Sequence, residues 1–201
     1  MTKHNQKQPL YFLLLITLFV SWGASARQLT RGTAIKVQQA YELQSNEQFN
    51  EAITSLTAIK SQDNYEQAYV SRMLGWLYWR QKQPKLAIKH LTQAVDLKVL
   101  IEQDDLSTQR MLADILLTEG HYQQAESRYL TLVKAYHDSN TLMQLWLRVA
   151  QAQYQQEKWP EVEKSIGKQQ AFRKKSKSPA QIMPLNILLT AQLAQKNGQQ
   201  A

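Results

Sequence analysis

Apolar residues are distributed in two regimes along this chain. Residues 10–20 (LYFLLLITLFV) form an unbroken apolar run. Beyond it, large and small apolar residues recur with the spacing that places them on one face of a helix. The clearest stretch is Leu74-Gly75-x-x-Tyr78, followed by Ala87, Leu91 and Ala94. That order of large, small and aromatic, then small again, predicts two antiparallel helices that approach closely where Gly75 and Ala87 lie, because only small residues permit such contact. The same order recurs upstream with Ala40, Phe49, Ala52 and Leu56. Downstream it returns twice, with Leu112-Ala113, Leu116, Gly120, Tyr122, Ala125 and Tyr129, and then with Trp146, Val149-Ala150, Trp159, Val162 and Ile166. The second small positions, at 52, 87, 125 and 162, are separated by 35, 38 and 37 residues. An ordinary helical bundle would show amphipathic helices without that fixed phase.

A helix pair repeated at this interval resembles the tetratricopeptide repeat (TPR), whose usual unit is about 34 residues. The extra residues are expected between units, around 101–105 and 137–141. Pro84 and Pro160 are expected to open second helices, where a missing amide proton costs little and a fixed φ helps. After a basic stretch at 173–178 and Pro179, Leu185, Leu188 and Leu189 are expected on one helical face. Residues 183–195 read as a capping helix, which repeat arrays need at their ends; they read equally as the opening half of a further unit. The fold expected is therefore all-α, a TPR α-solenoid of about four repeats plus a C-terminal capping helix, spanning residues 27–201.

The first 26 residues read differently. Lys3 and Lys7 precede the apolar run, and Ala24-Ser25-Ala26 follows it. Those are the three parts of a cleavable secretory signal peptide, with Arg27 as the expected mature start. An uncleaved anchor is the alternative, but the run is shorter than the roughly 20 residues a spanning helix needs. Export makes a periplasmic protein with no membrane span after cleavage the expected outcome. No Cys is present, so neither disulfides, thiolate metal sites nor a lipidated Cys enter the picture. Hydrophobic residues make up 43% of the chain against only six Gly and five Pro, a balance that favours helices over short strands. The net charge of +8 becomes +6 once Lys3 and Lys7 leave. Export argues against nucleic acid as the counter-charge, leaving lipid head groups, cell-wall polymers, acidic protein segments or plain solvation.

No catalytic chemistry is apparent. His90, His121 and His137 lie in different repeats, with no i, i+4 pair and no HExxH. Glu102, Asp104 and Asp105 lack calcium-loop spacing, and Asp105 reads as a helix N-cap. There is neither a Gly-rich phosphate loop nor a nucleophile elbow. No enzyme, cofactor or metal is therefore expected. Binding residues are expected instead along the first helices, whose inward stripe in the second unit comprises Tyr69, Arg72, Trp76, Trp79 and Arg80, with Tyr41, Arg110 and Tyr154 at matching places in its neighbours. Aromatic rings beside Arg have the composition of protein-binding hot spots. The competing reading places Trp76 or Trp79 in the core between repeats.

The segments Ala40-Tyr41, 49–53, Ala68-Tyr69, Arg72, Leu74-Gly75, Ala87-Ile88, 94–96, 112–114 and 177–179 resemble the amino-terminal part of a family of periplasmic TPR proteins associated with TonB energy transduction. The resemblance implies an accessory to the inner-membrane TonB, ExbB and ExbD assembly, which powers uptake of iron complexes. It implies protein partners, and it brings no catalytic residues. The chain lacks the later repeats of that family. A cell-wall or outer-membrane scaffold for assembly or division is the alternative, with the same fold and groove.

Overall fold

The computed structural model describes residues 28–179 and 181–198; the expected signal peptide lies outside them. The described residues form nine helices in chain order and no strand: α1 (Arg31–Ser45), α2 (Phe49–Thr57), α3 (Asn64–Arg80), α4 (Pro84–Asp96), α5 (Glu102–Thr118), α6 (Tyr122–Ala135), α7 (Ser139–Tyr154), α8 (Trp159–Lys175) and α9 (Ile182–Gly198). Consecutive helices pair antiparallel into four two-helix units, and each unit stacks on the next. The odd-numbered helices are the first helices of their units.

The turn inside each unit is the same device four times. Glu47, Lys82, Gly120 and Glu157 all take left-handed backbone conformations, with φ of 59°, 58°, 82° and 56°. In each case the next residue's N–H donates back to the carbonyl five residues earlier: Gln48 to Leu43, Gln83 to Tyr78, His121 to Leu116 and Lys158 to Gln153. This closes the last carbonyls of the first helix in a Schellman motif. A bulky residue or Pro then opens the second helix, at Phe49, Pro84, Tyr122 and Trp159, and Pro160 occupies its first turn in the fourth unit. The expected openings at Pro84 and Pro160 thus hold.

Apolar packing fuses the units. Val37, Ala40, Ala52, Leu56, Leu74 and Leu77 join units one and two. A larger cluster runs from Ala87 and Leu91 through Leu112, Leu116, Tyr129 and Leu132 to Leu145 and Val149. Gly75 sits where α3 and α4 touch most closely. A Cβ built there would stand 2.5 Å from Leu91 Cγ, so the side chain it makes room for is Leu91, one turn beyond the expected Ala87.

The connectors differ from expectation at both places: α7 already begins at Ser139, so residues 136–138 make the link to unit four. Residues 97–101 make the link to unit three, and Leu100 is buried with Ala68 and Ala94. Helix α5 begins at Glu102, with extended Ile101 as its N-cap. Asp105 is therefore inside the first turn and not the cap; Glu102, Asp104 and Asp105 together place negative charge at the positive end of the helix. Two other first helices carry conventional caps: Asp63 accepts from Glu66 N–H at 2.9 Å and Asp138 from Thr141 N–H at 2.8 Å.

Two buried carboxylates fasten neighbouring helices. Glu66 in α3 accepts from the Thr30 N–H and, at 2.9 Å, from the Thr33 hydroxyl. Glu126 in α6 accepts from Gln153, Gln156 and Lys158, at 2.8, 2.9 and 2.8 Å. Helix α9 covers the far end, packing Ile187, Leu188 and Ala191 against Ala150, Val162 and Ile166. Leu185 and Leu189, expected on the same face as Leu188, are more than half exposed. They lie away from the side that Ile187 and Ala191 pack.

Candidate functional site

A cavity of about 320 Å³ opens between the first helices of units one, two and three, lined by Tyr41, Gln44, Arg72, Trp76, Ser107 and Met111. Apart from Leu91 of α4, its walls come from α1, α3 and α5, because stacked units turn those helices toward one surface. Tyr41 and Arg72 reach it from neighbouring helices, and Trp76 lies one turn beyond Arg72 on the same stripe.

Side-chain links step along this surface from one first helix to the next. The hydroxyls of Tyr41 and Tyr69 meet at 3.1 Å. Arg72 pairs with Asp104 at 3.1 Å, and Arg110 donates to Gln144 at 2.8 Å. Arg148 approaches Asp114 at 3.5 Å, and the same Asp114 oxygen accepts from Tyr129. Gln151 contacts Met183 Sδ at 2.9 Å, carrying the chain of links to α9. Burial, together with the Tyr41 hydroxyl, pushes the Tyr69 phenol well above its ordinary range. The phenol is therefore a neutral donor and acceptor at any physiological pH.

Of the eight residues that the sequence singles out, Tyr41, Arg72 and Trp76 line the cavity, Tyr69 and Arg80 touch Tyr41 and Trp76, and Arg110, Trp79 and Tyr154 lie apart from it. Arg80 stacks over both Trp76 and Phe49, 5.6 and 5.7 Å from the ring centroids, and Phe49 meets Trp76 edge-on. Trp76 is thus partly a wall of the cavity and partly a support for unit one. Trp79 packs with Tyr78 and Ile88 against the core of unit three, since it follows Gly75 by one turn on the side facing α4. Tyr154 stands edge-on to Trp159, 5.5 Å between centroids, beside the core of unit four. Neither lines the cavity.

Sequence reasoning misses Gln44, Asp104, Ser107, Met111 and Gln144. Asp104 is the most consequential, because its carboxylate already satisfies Arg72. The cavity is therefore close to neutral, with an aromatic and thioether wall and a few hydroxyl and amide groups at its edge. Such a site holds an apolar side chain and bonds the flanking backbone. An acidic knot at 102–105 is visible in the sequence, but its reach to Arg72 depends on how unit three is rotated on unit two. The three histidines do not converge: His90 stacks on Tyr78 at 5.2 Å, and burial, with Lys89 nearby, holds its pKa below the usual value.

The tetratricopeptide-repeat family model matches residues 37–98 and 110–161, more than half of the chain. The chain belongs to the tetratricopeptide-repeat family. Three solved structures share the fold. A Podosopora anserina chain, described as a kinesin light chain with nearly identical TPR-like repeats, is 19% identical with a TM-score of 0.61, covering 86% of this protein and 92% of that chain. The apo form of RapI is 13% identical with a TM-score of 0.61, over 82% of this protein and 64% of that chain. MamA is 16% identical with a TM-score of 0.58, over 71% and 74%. This protein thus spans less than two thirds of RapI. No curated protein matches by sequence. The likeness is one of fold: a TPR array is a scaffold for protein partners, presenting an extended surface along its stacked first helices. Among the described residues no helix is long and apolar enough to cross a membrane.

Proposed function

We propose that the protein is a non-enzymatic periplasmic adaptor whose α1–α3–α5 groove captures a segment of a partner protein, in the service of the TonB, ExbB and ExbD assembly. The observation that carries the binding mode is the neutral cavity walled by Tyr41, Trp76 and Met111, with Arg72 already held by Asp104. One apolar side chain of the partner enters the cavity. Its backbone is held by the amides and hydroxyls at the edge. The links between first helices keep the groove in shape before the partner arrives, which reduces the ordering cost of binding. The periplasmic location is supported by the signal-peptide pattern of the first 26 residues, and the TonB assignment by the resemblance over 40–41, 49–53, 68–69, Arg72, 74–75 and 112–114.

Titration calorimetry with the periplasmic parts of TonB and ExbD tests the assignment. Saturable binding to one of them is expected, and Ser107→Arg, which fills the cavity mouth from an exposed helix position, should weaken it at least about tenfold, near the scale of one hot spot. No heat from either partner, with the protein folded by circular dichroism, removes the TonB assignment.

A further inference from the structure

The carboxy-terminal corner of the molecule combines an uncovered apolar stripe with nearly all of the protein's net charge. Among large apolar residues, Ile182, Leu185, Leu189 and Leu193 are 77%, 51%, 56% and 53% exposed. At about 100° per residue they fall on one side of α9, opposite the packed Ile187, Leu188 and Ala191. The stripe is about 16 Å long at 1.5 Å per residue. A helix apolar on both faces belongs in a buried setting, and the described residues leave this side of α9 open.

From Lys164 to the end, the chain carries seven Lys or Arg and no Asp or Glu, against a total charge of +8. Among the described residues the ion pairs are Arg72–Asp104, Arg148–Asp114 and Lys158–Glu126, and none uses these cations. Arg173 donates to the Ser178 carbonyl at 3.2 Å, which fixes the end of α8 against the residues that follow it. Exposed Lys174, Lys175 and Lys177 thus precede one end of the stripe, and exposed Lys196 follows at the other.

We infer that this corner docks the protein onto an anionic lipid surface, with the α9 stripe entering the head-group boundary and the flanking cations facing the lipid phosphates. The occupant follows from the chemistry. A second copy would bring the same cations against these, with no carboxylate from Lys164 onward to meet them. A protein helix would need acids placed to match, whereas exposed Lys before and after an exposed apolar stripe suit a diffuse negative plane. Helix α9 is not long and apolar enough to span a bilayer, so it lies in the interface, where an apolar face and a basic cluster act together. This surface is separate from the groove and does not depend on it.

Vesicle co-sedimentation tests the inference. The protein is used as recovered from expressing cells, its amino terminus read by sequencing, with vesicles of phosphatidylcholine alone or mixed with phosphatidylglycerol. Expected is binding to the mixed vesicles, suppressed by high salt, and at least about tenfold weaker both in Leu189→Gln/Leu193→Gln and in Lys174→Gln/Lys175→Gln/Lys177→Gln. Both variants alter exposed positions, and melting within error of the parent confirms that they are folded. Absence of binding, equal binding to neutral vesicles, or folded variants that bind like the parent would overturn it. So would a dimer in analytical ultracentrifugation that Leu189→Gln/Leu193→Gln dissolves, which assigns the stripe to a second copy.

Discussion

A side chain at Gly75 would meet Leu91 at 2.5 Å, whereas one at Gly167 would meet nothing within 4 Å. The two glycines therefore answer to opposite forces. At Gly75 the overpacking cost of about 1–3 kcal/mol exceeds the helix-propensity gain, which is under about 1 kcal/mol. At exposed Gly167 the propensity gain stands alone. Gly75→Leu should lower the melting temperature and Gly167→Ala raise it, at about 2–4 °C per kcal/mol for a chain of this size; circular dichroism melts decide both. Left-handed Glu47, Lys82 and Glu157 give a second contrast. A non-glycine residue there costs about 1–2 kcal/mol, which Gly avoids, while Gly loses more entropy on folding. Each change to Gly should therefore stabilise modestly, by under about 1 kcal/mol, and Gly120→Ala should destabilise. Urea midpoints measure the four variants. Gly75 could be read from its neighbours in the sequence. The turn device could not, because three of its four positions carry Glu or Lys and only Gly120 announces the conformation.

Between elements, the buried carboxylates make stability depend on acid. Burial would raise the Glu66 pKa, but hydrogen bonds from Ser61, Thr30 and Thr33 outweigh it and hold the group at about 2, against 4.5 for an unperturbed Glu. Glu126 is also lowered: burial opposes, and Lys158, Gln153 and Gln156 prevail. A depressed carboxylate contributes stability that is fully present above its unfolded pKa and is lost as pH falls through its folded one. For Glu66 that window runs from about 4.5 down to about 2. Glu66→Gln should flatten the decline of the urea midpoint across that window while lowering stability at neutral pH. A decline as steep as the parent's would remove Glu66 from the account. Helix order and phase were legible, because core residues recur at constant intervals. Two features were not: the start of α5, where an extended Ile101 sets the cap, and the facing of α9, where apolar residues on both sides leave periodicity undecided about which side packs.

At the scale of the whole molecule, stability passes from unit to unit, since each unit packs on its neighbours and little else. The site inherits this: Tyr41, Arg72, Trp76 and Met111 come from three units, and the cavity exists only while those units are stacked. Of the residues singled out by sequence, Tyr41, Arg72 and Trp76 line it, with Tyr69 and Arg80 in contact with them, because helical phase places Tyr69, Arg72, Trp76 and Arg80 on one stripe of α3. Trp79, Arg110 and Tyr154 do not, and the pairings of Arg72 with Asp104 and of Arg110 with Gln144 could not be read, because those contacts depend on the rotation between successive units. The central claim is that this surface holds a protein partner. It is tested most directly by placing a photo-cross-linking residue at Ser107, in the groove, or at Ser127, exposed on α6, and irradiating intact cells. Adducts with a defined protein from position 107, absent from position 127 and abolished by Trp76→Ala in a protein that remains folded, are the predicted result. Adducts from position 127 with none from position 107 would contradict it.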